Sequence, residues 1–231
     1  MDYTKEYIRK NPGLHIEDSE FKAAEILHIL PSNITVNSLL DVACGAGKIS
    51  LILGSKLSIE KIVGIDISKT IIEKARELDT KHEVTWKVTD IFSYRPKSIF
   101  DLIICIDIVE HIKNDYKFLQ KLGDLGNRVV VKAPIEDSLF YKFLKKAKIF
   151  DGWKFTENKF GHLHHYGEGS LDKLISRAGW KIVRSSTAYV PKRPKLKWKI
   201  IGTITYPLRV FDNKHILRLF GGYKMYYLEK K

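Results

Sequence analysis

Short apolar runs rich in β-branched residues alternate along the chain with segments whose apolar positions recur at helical spacing. Five runs have the length and composition of strands buried on both faces, and they read SLLDVAC, KIVGIDI, EVTWKVTD, FDLIICID and NRVVVKAP. The spacing between them predicts helices over residues 46–57, 68–81 and 110–123, with Ser68 as the N-cap of the second. This alternation predicts a doubly wound α/β sheet of parallel strands, which binds ligands at the carboxyl ends of its strands.

Length and composition limit the organisation of this fold. A chain of 231 residues, 44% of them hydrophobic, predicts one globular domain over residues 1–231. The two cysteines, Cys44 and Cys105, lie in apolar runs, which predicts buried thiols in a reducing compartment. The first twenty residues are charged throughout and lack the apolar core of a secretory signal, so we expect a cytoplasmic location.

Two glycines follow the first predicted strand in the stretch SLLDVACGAGKIS. Gly45 and Gly47 allow the backbone to pass close to a ligand. A dinucleotide fingerprint requires a third glycine at the position of Ser50, which argues against NAD. Asp66 ends the second strand 21 residues after Gly45, the spacing at which a carboxylate accepts hydrogen bonds from a ribose diol. Together these residues predict a cofactor that contains ribose.

Four motifs in order, LLDVACGAGKIS, IVGIDIS, VTDIF and FDLIICIDIVEHI, resemble those of class I S-adenosylmethionine-dependent methyltransferases. The resemblance covers residues 38 to about 187, and the final GGYKMYYLEKK resembles the antiparallel last strand of that fold. It implies a Rossmann-like, doubly wound seven-stranded sheet, mostly parallel, in three α/β/α layers. It also implies S-adenosylmethionine as the methyl donor and S-adenosylhomocysteine as the product.

The resemblance also implies a role for each residue of the cofactor site. The glycine turn is expected to face the methionine part of the cofactor, and Asp66 to bind the ribose hydroxyls, with Ile67 beside the adenine. Asp90 and Ile91 border the amino group and the ring of the adenine, and residues 106 and 107 close the site from the fourth strand. The implied cofactor site is Asp41, Ala43, Gly45, Gly47, Asp66, Ile67, Asp90, Ile91, Ile106 and Asp107.

Methylation of a hydroxyl requires a group that removes its proton, and the sequence offers two candidates. His111 begins the predicted helix after the fourth strand and resembles the family's histidine there, although capping or packing explains it equally well. The segment FGHLHHYGEG resembles a loop that borders the acceptor pocket in many small-molecule and sugar methyltransferases. That likeness makes His165 the second candidate base, and His162 and Tyr166 candidate substrate contacts.

Three histidines within this segment, at positions 162, 164 and 165, also raise the question of a metal site. Their spacing matches no common structural zinc pattern, and no cysteine pair accompanies them. The sequence therefore predicts no metal. Ser170 is the expected N-cap of the helix that follows.

Amphipathic segments flank the cofactor-binding half, residues 36–135. Within an N-terminal region of residues 1–35, a helix over 17–30 is expected either to lie over the cofactor mouth as a lid or to serve packing alone. The stretch NPGLHIEDSEFK resembles the opening of methyltransferases of surface-glycan synthesis. Two insertions, 136–168 and 188–220, are expected on the acceptor side.

Basic charge concentrates in the insertions. Residues 188–231 hold 11 Lys and Arg against Asp212 and Glu229, and residues 136–160 combine six lysines, five of them within 142–154, with several aromatic residues. A solvated basic face explains this pattern, and so does peripheral contact with an anionic membrane at the inner membrane face. Helical caps over the sheet edge or over an acceptor pocket are the structural alternatives.

The function predicted is O-methylation of a small or glycan-like acceptor, which can be lipid-linked. One alternative is an RNA methyltransferase, but the fourth strand lacks the Asn-Pro-Pro-aromatic tetrapeptide of base N-methylation, and no separate RNA-binding module is present. A non-catalytic cofactor-binding protein of the same fold is the other alternative. The sequence leaves the acceptor and the oligomeric state open.

Overall fold

A computed structural model describes Gly13 and residues 16–188 and 213–231 of the chain. The apolar spacing of the sequence places helices on both sides of a central sheet, and short 3-10 turns at Ile16–Asp18 and Val109–His111 precede two of them. The helices are α1 (Ser19–Ile29), α2 (Lys48–Leu57), α3 (Lys69–Leu78), α4 (Asp115–Leu122), α5 (Leu139–Lys146), α6 (Gly152–Phe160), α7 (Ser170–Arg177) and α8 (Asn213–Phe220).

The five predicted strands and two C-terminal ones form a seven-stranded sheet in the order β3-β2-β1-β4-β5-β7-β6. Strand β7 runs antiparallel to both of its neighbours, and the other pairs are parallel, so the predicted fold class is confirmed. The order reverses between β1 and β4, where the carboxyl ends of the strands leave a crevice. The strands are β1 (Ser38–Val42), β2 (Lys61–Asp66), β3 (Val84–Val88), β4 (Leu102–Ile106), β5 (Arg128–Ile135), β6 (Trp180–Ala188) and β7 (Gly222–Lys230).

Two hydrophobic clusters, one on each face of the sheet, give the three α/β/α layers. Helices α4 and α7 pack on one face through residues such as Phe118 and Leu171. Helices α1, α2 and α3 cover the other face, with Ile26, Leu53 and Ile72 fully or almost fully buried. Burial of each such side chain contributes about 1.5–3 kcal/mol, which fixes the sheet that carries the crevice. Cys105 is buried and Cys44 half-buried, both as free thiols.

Local hydrogen bonds decide where the predicted helices begin. The Ser68 hydroxyl accepts from the Ile71 amide at 3.2 Å, which confirms it as the N-cap of α3. The helix predicted over 110–123 is wrong in its first half, because a 3-10 turn ends at His111 and the Asn114 side chain caps a new helix, α4. Ser170 is the first residue of α7 rather than its cap, and its hydroxyl accepts from the Gly167 amide at 2.8 Å.

The segment between β5 and α7 forms two short helices, α5 and α6. Ser138 and Asp151 cap their N-termini by accepting hydrogen bonds from the amides of Tyr141 and Lys154. Residues 189–212, which contain most of the second predicted insertion, lie outside the described residues. Among the helices that are described, none combines the length and the apolar character needed to cross a bilayer.

Candidate active site

A cavity of about 1040 Å³ lies at the carboxyl ends of β1, β2, β4 and β5. Phe21 and Lys22 of α1 line it on one side, and Tyr141 and Phe155 of α5 and α6 line it on another. All ten residues of the cofactor site implied by the sequence also line this cavity: Asp41, Ala43, Gly45, Gly47, Asp66, Ile67, Asp90, Ile91, Ile106 and Asp107.

The glycine turn after β1 serves two different purposes. Ala43 and Gly45 both adopt left-handed backbone, with φ of 57° and 56°. A Cβ on Gly45 would meet nothing within 4 Å, so the backbone there is open to the cavity. Gly47 also has positive φ, but a Cβ there would lie 2.2 Å from Cη2 of Trp86 on β3. The expected close approach to a ligand therefore applies to Gly45, whereas Gly47 is required for packing against the indole.

Asp41 and Ser50 join β1 to α2 beneath the turn. The Ser50 hydroxyl donates to Oδ2 of Asp41 at 2.6 Å, and both residues are buried. Burial raises the pKa of Asp41 to about 7, against the hydrogen bond from Ser50 and with a smaller contribution from Asp66. The serine that replaces the third glycine of a dinucleotide site thus holds a buried carboxyl whose charge a cationic ligand would stabilise.

Asp66 at the end of β2 links the second strand to the glycine turn. Its Oδ2 accepts from the Gly45 amide at 3.3 Å, and its Oδ1 accepts from the Ser68 amide at 2.9 Å. Burial raises the pKa of this carboxyl, and hydrogen bonds from the backbone oppose the increase. Each carboxylate oxygen retains a lone pair, so the group can still accept bonds from a diol in the cavity.

Apolar side chains stand next to Asp66 where a planar ring would lie. Ile67 and Ile91 both line the cavity, where Ile67 is 64% exposed and Ile91 is buried. Asp90 is exposed, and its Oδ1 accepts from the Phe92 amide at 2.6 Å, which fixes the turn after β3. A diol-binding carboxylate beside an exposed apolar surface fits a nucleoside, so these residues fit the cofactor that the sequence implies.

Asp107 at the end of β4 is held between two lysines. Its carboxylate forms ion pairs with Lys132 of β5 and with Lys22 of α1, the latter at 3.0 Å. Burial disfavours the charge of Asp107, but the two lysines outweigh that effect and hold its pKa well below the usual range. Sequence reasoning missed both lysines, although Lys132 was visible as a single cation within the apolar run NRVVVKAP.

His111 and His162 face each other on the cavity wall, with ring centroids 4.9 Å apart. Nδ1 of His111 lies 3.2 Å from the Gly161 carbonyl oxygen, so this nitrogen must carry the proton. Burial first, and the neighbouring His162 second, lower the pKa of His111 to about 4. His111 is therefore a neutral imidazole at physiological pH, with its lone pair on Nε2.

Glu136, which follows β5, organises the histidine segment and was missed from the sequence. Its carboxylate accepts from Nδ1 of His162 at 3.0 Å and from Nδ1 of His165 at 2.8 Å. Burial opposes the charge of Glu136, but these hydrogen bonds hold its pKa below the usual range. A carboxylate directly after a strand was the signal available in NRVVVKAPIED.

The structure does not bring His165 and Tyr166 to the cavity wall. His165 stacks on the indole of Trp153, with ring centroids 5.6 Å apart. Tyr166 is buried, and its hydroxyl donates to Asp115 at 2.9 Å. Of the four acceptor-side candidates, His111 and His162 line the cavity, and the substrate contact expected of Tyr166 stays a prediction, with its hydroxyl bonded to Asp115 in this structure.

Comparison with known proteins identifies relatives of this arrangement. A family model described as "Methyltransferase domain" matches residues 14–185. The ubiquinone biosynthesis O-methyltransferase of Pelagibacter ubique is 38% identical over 185 residues, which is 67% of this chain and 73% of that protein. The enzyme of the same name from Rickettsia typhi is 29% identical over 93 residues, which is 39% of this chain.

The chain spans less than half the length of several curated relatives that it matches. It covers 37% of the Rickettsia typhi enzyme. Among solved structures, the magnesium protoporphyrin IX methyltransferase of Synechocystis, with bound S-adenosylhomocysteine, has a TM-score of 0.59 at 16% identity. That match covers 100% of this chain and 88% of the other.

Proposed function

The chain belongs to the methyltransferase domain family, and from this premise we propose that it transfers a methyl group from S-adenosylmethionine to an oxygen of a small hydroxylated acceptor. The observation that carries the proposal is the convergence of the ten cofactor residues on one cavity, with Asp66 and Gly45 joined at its edge. A sulfonium donor brings its own activated leaving group, so orientation supplies much of the catalysis.

The protein's own residues hold the two substrates in place. Asp66 would accept hydrogen bonds from the ribose hydroxyls, and Ile67 and Ile91 would border the adenine. Asp41 would hold its carboxyl toward the methionine end of the donor. Asp90 would lie at the edge of the adenine, and the ion pair between Asp107 and Lys22 connects the cofactor side to α1.

An oxygen acceptor is supported by the proton-handling groups on the wall. A hydroxyl must lose its proton as it is methylated, and the imidazoles of His111 and His162 place ring nitrogens on the cavity wall that can accept it. His165 would influence the reaction indirectly, through the Glu136 carboxylate that it shares with His162. The name of the Pelagibacter relative, an O-methyltransferase, supports the same acceptor atom.

A lipid-linked acceptor is favoured by the surface beside the cavity. Helices α5 and α6 and the loop between them carry apolar side chains that are 39–69% exposed, and we call this surface the α5–α6 face: Leu139, Phe140, Phe143, Ile149, Phe150 and Phe155. Exposed lysines surround it: Lys142, Lys145, Lys146, Lys148 and Lys154. Apolar groups within a basic rim are suited to an anionic membrane surface. Phe150 and Phe155 also line the cavity, so an acceptor's apolar tail can pass from the membrane into the site.

Transfer of a labelled methyl group tests the acceptor. Purified protein and methyl-labelled S-adenosylmethionine are incubated with hydroxylated sugars, with phenolic and glycolipid acceptors in anionic vesicles, and with RNA. We expect label in an ether formed on a vesicle-borne hydroxyl. Label in RNA or on an amine would overturn the proposed acceptor, and tight cofactor binding without transfer to any acceptor would favour a non-catalytic protein.

A further inference from the structure

Three metal-ligand side chains converge on the cavity wall from separate parts of the chain. Glu110 and His111 come from the 3-10 turn after β4, and His162 comes from the loop after α6. One donor atom from each of them lies within 4.8 Å of the other two. Imidazole nitrogens with one carboxylate oxygen are a ligand set typical of Zn²⁺ and related divalent transition ions.

Both imidazoles are already oriented as metal ligands are. Nδ1 of His111 donates to the Gly161 carbonyl, and Nδ1 of His162 donates to the Glu136 carboxylate. These bonds leave the lone pair of each ring on Nε2. Backbone carbonyls and carboxylates are the partners that hold metal-bound histidines in proteins.

The side chain of Glu110 provides a second, independent observation that points to a bound cation. Its side chain is 1% exposed, yet it contributes to the cavity wall. Its Oε2 is buried and has no hydrogen-bond partner within the described part of the chain. A buried carboxyl oxygen without a partner is costly, and a bound cation would stabilise the ionised form of the group.

We propose that Glu110, His111 and His162 bind one divalent transition-metal ion, with Zn²⁺ as the representative ion. Ligand atoms about 2.1 Å from a tetrahedral zinc are about 3.4 Å apart, so binding draws the three atoms together by about 1.4 Å at most. The site departs from the expectation that the chain binds no metal. The histidines that raised that question do not converge: Nε2 of His164 lies 3.0 Å from the Ile112 carbonyl, and His165 lies on Trp153.

Three protein ligands leave a fourth position for water or for an acceptor hydroxyl. A hydroxyl bound to the ion has a lower pKa and loses its proton to water. Its oxygen then forms the new bond to the methyl carbon as the carbon–sulfur bond breaks. This consequence rests on the proposed function, whereas the ion itself does not, and it makes His111 and His162 ligands rather than bases.

Metal titration tests the site without any methyl transfer. Untagged full-length protein is stripped with a chelator and titrated with Co²⁺, whose visible absorption reports its ligands, and then with Zn²⁺ in competition. We expect one ion per chain, an affinity at least about 100-fold lower in His111→Ala and His162→Ala, and a smaller loss in Glu110→Gln. His28→Ala, which removes an exposed histidine of α1, is the matched control and should bind as the unaltered protein does.

Substoichiometric binding, or equal affinity in His162→Ala and His28→Ala, would overturn the inference. If a variant fails to fold, the unaltered chain is heated with and without Zn²⁺. A higher melting temperature with Zn²⁺ would support the site, and an unchanged one would overturn it. Titration of the same stripped protein with S-adenosylhomocysteine separates the two proposals. Cofactor binding without an ion overturns the metal site alone, and an ion without cofactor binding overturns the proposed function alone.

Discussion

The cofactor side and the acceptor side of the cavity are built in different ways. On the cofactor side, Asp66, Asp90 and Asp107 each follow the end of a parallel strand, so the sheet places them along one edge. On the acceptor side, Glu136 follows a strand, but the histidines that it organises lie in a loop after two short helices. The register of the sheet therefore positions the residues of the cofactor side, whereas side-chain hydrogen bonds position those of the acceptor side. The two halves should therefore respond separately to substitution.

Gly47→Ala should have the largest effect on stability, because it alters the cofactor side, which depends on backbone geometry. The added Cβ would meet Trp86 at 2.2 Å in a left-handed conformation. We expect the free energy of unfolding to fall by about 3 kcal/mol in denaturant titration. Gly45→Ala is the matched control, with a loss of about 1–2 kcal/mol from backbone strain alone. Equal losses in the two variants would contradict the packing role of Gly47.

Asp41→Asn should change how stability depends on pH. The pKa of Asp41 is about 7 in the native protein, above its unfolded value, so the native state loses relative stability as pH rises toward 7. Asparagine keeps an acceptor for Ser50 and removes this loss. From pH 5 to pH 8, we expect the variant to gain on the order of 2 kcal/mol relative to the unaltered protein in unfolding experiments. If the free energy of unfolding of the two proteins changed in the same way with pH, the pKa of Asp41 would not be raised in the native state.

Glu136→Gln should affect the acceptor half alone. Glutamine replaces the carboxylate, which accepts from both His162 and His165, with a neutral amide, so these hydrogen bonds lose the strength that the negative charge gives them. We expect a loss of about 1–2 kcal/mol in the free energy of unfolding. Affinity for S-adenosylhomocysteine, measured by calorimetry, should stay within about twofold of the unaltered value, because the Glu136 side chain accepts its hydrogen bonds from Thr156, His162 and His165 on the acceptor side. A large loss of cofactor affinity would contradict the separation of the halves.

Changes on the α5–α6 face should have the smallest effect on folding. The double variant Phe143→Ser, Ile149→Ser alters side chains that are 64% and 69% exposed, so stability should change by about 0.5 kcal/mol or less. Sedimentation with anionic vesicles should fall at least about tenfold. Ile99→Ser, an exposed apolar change before β4, should sediment as the unaltered protein does. Equal sedimentation with neutral and anionic vesicles would remove the membrane proposal.

The difference between the cofactor side and the acceptor side also explains which features the sequence could predict. Strand ends are readable from apolar runs, so the sheet was predictable, and the ten residues that the resemblance implies for the cofactor line one cavity at the strand ends. The break between His111 and α4 was not readable, because it depends on Asn114 as a cap within a continuous helical pattern. Tyr166 shares the histidine segment but is buried against Asp115, and spacing in sequence carries no information about such a contact.

Calorimetric titration with S-adenosylhomocysteine, alongside NAD, tests the central claim most directly. Asp66→Ala is compared with Asp124→Ala, which removes an exposed aspartate that pairs with Lys121. We predict binding to the unaltered protein and to Asp124→Ala, a loss of about 100-fold in Asp66→Ala, and no binding of NAD. Equal affinity in the two variants, or binding of NAD alone, would contradict the account of the cavity as an S-adenosylmethionine site.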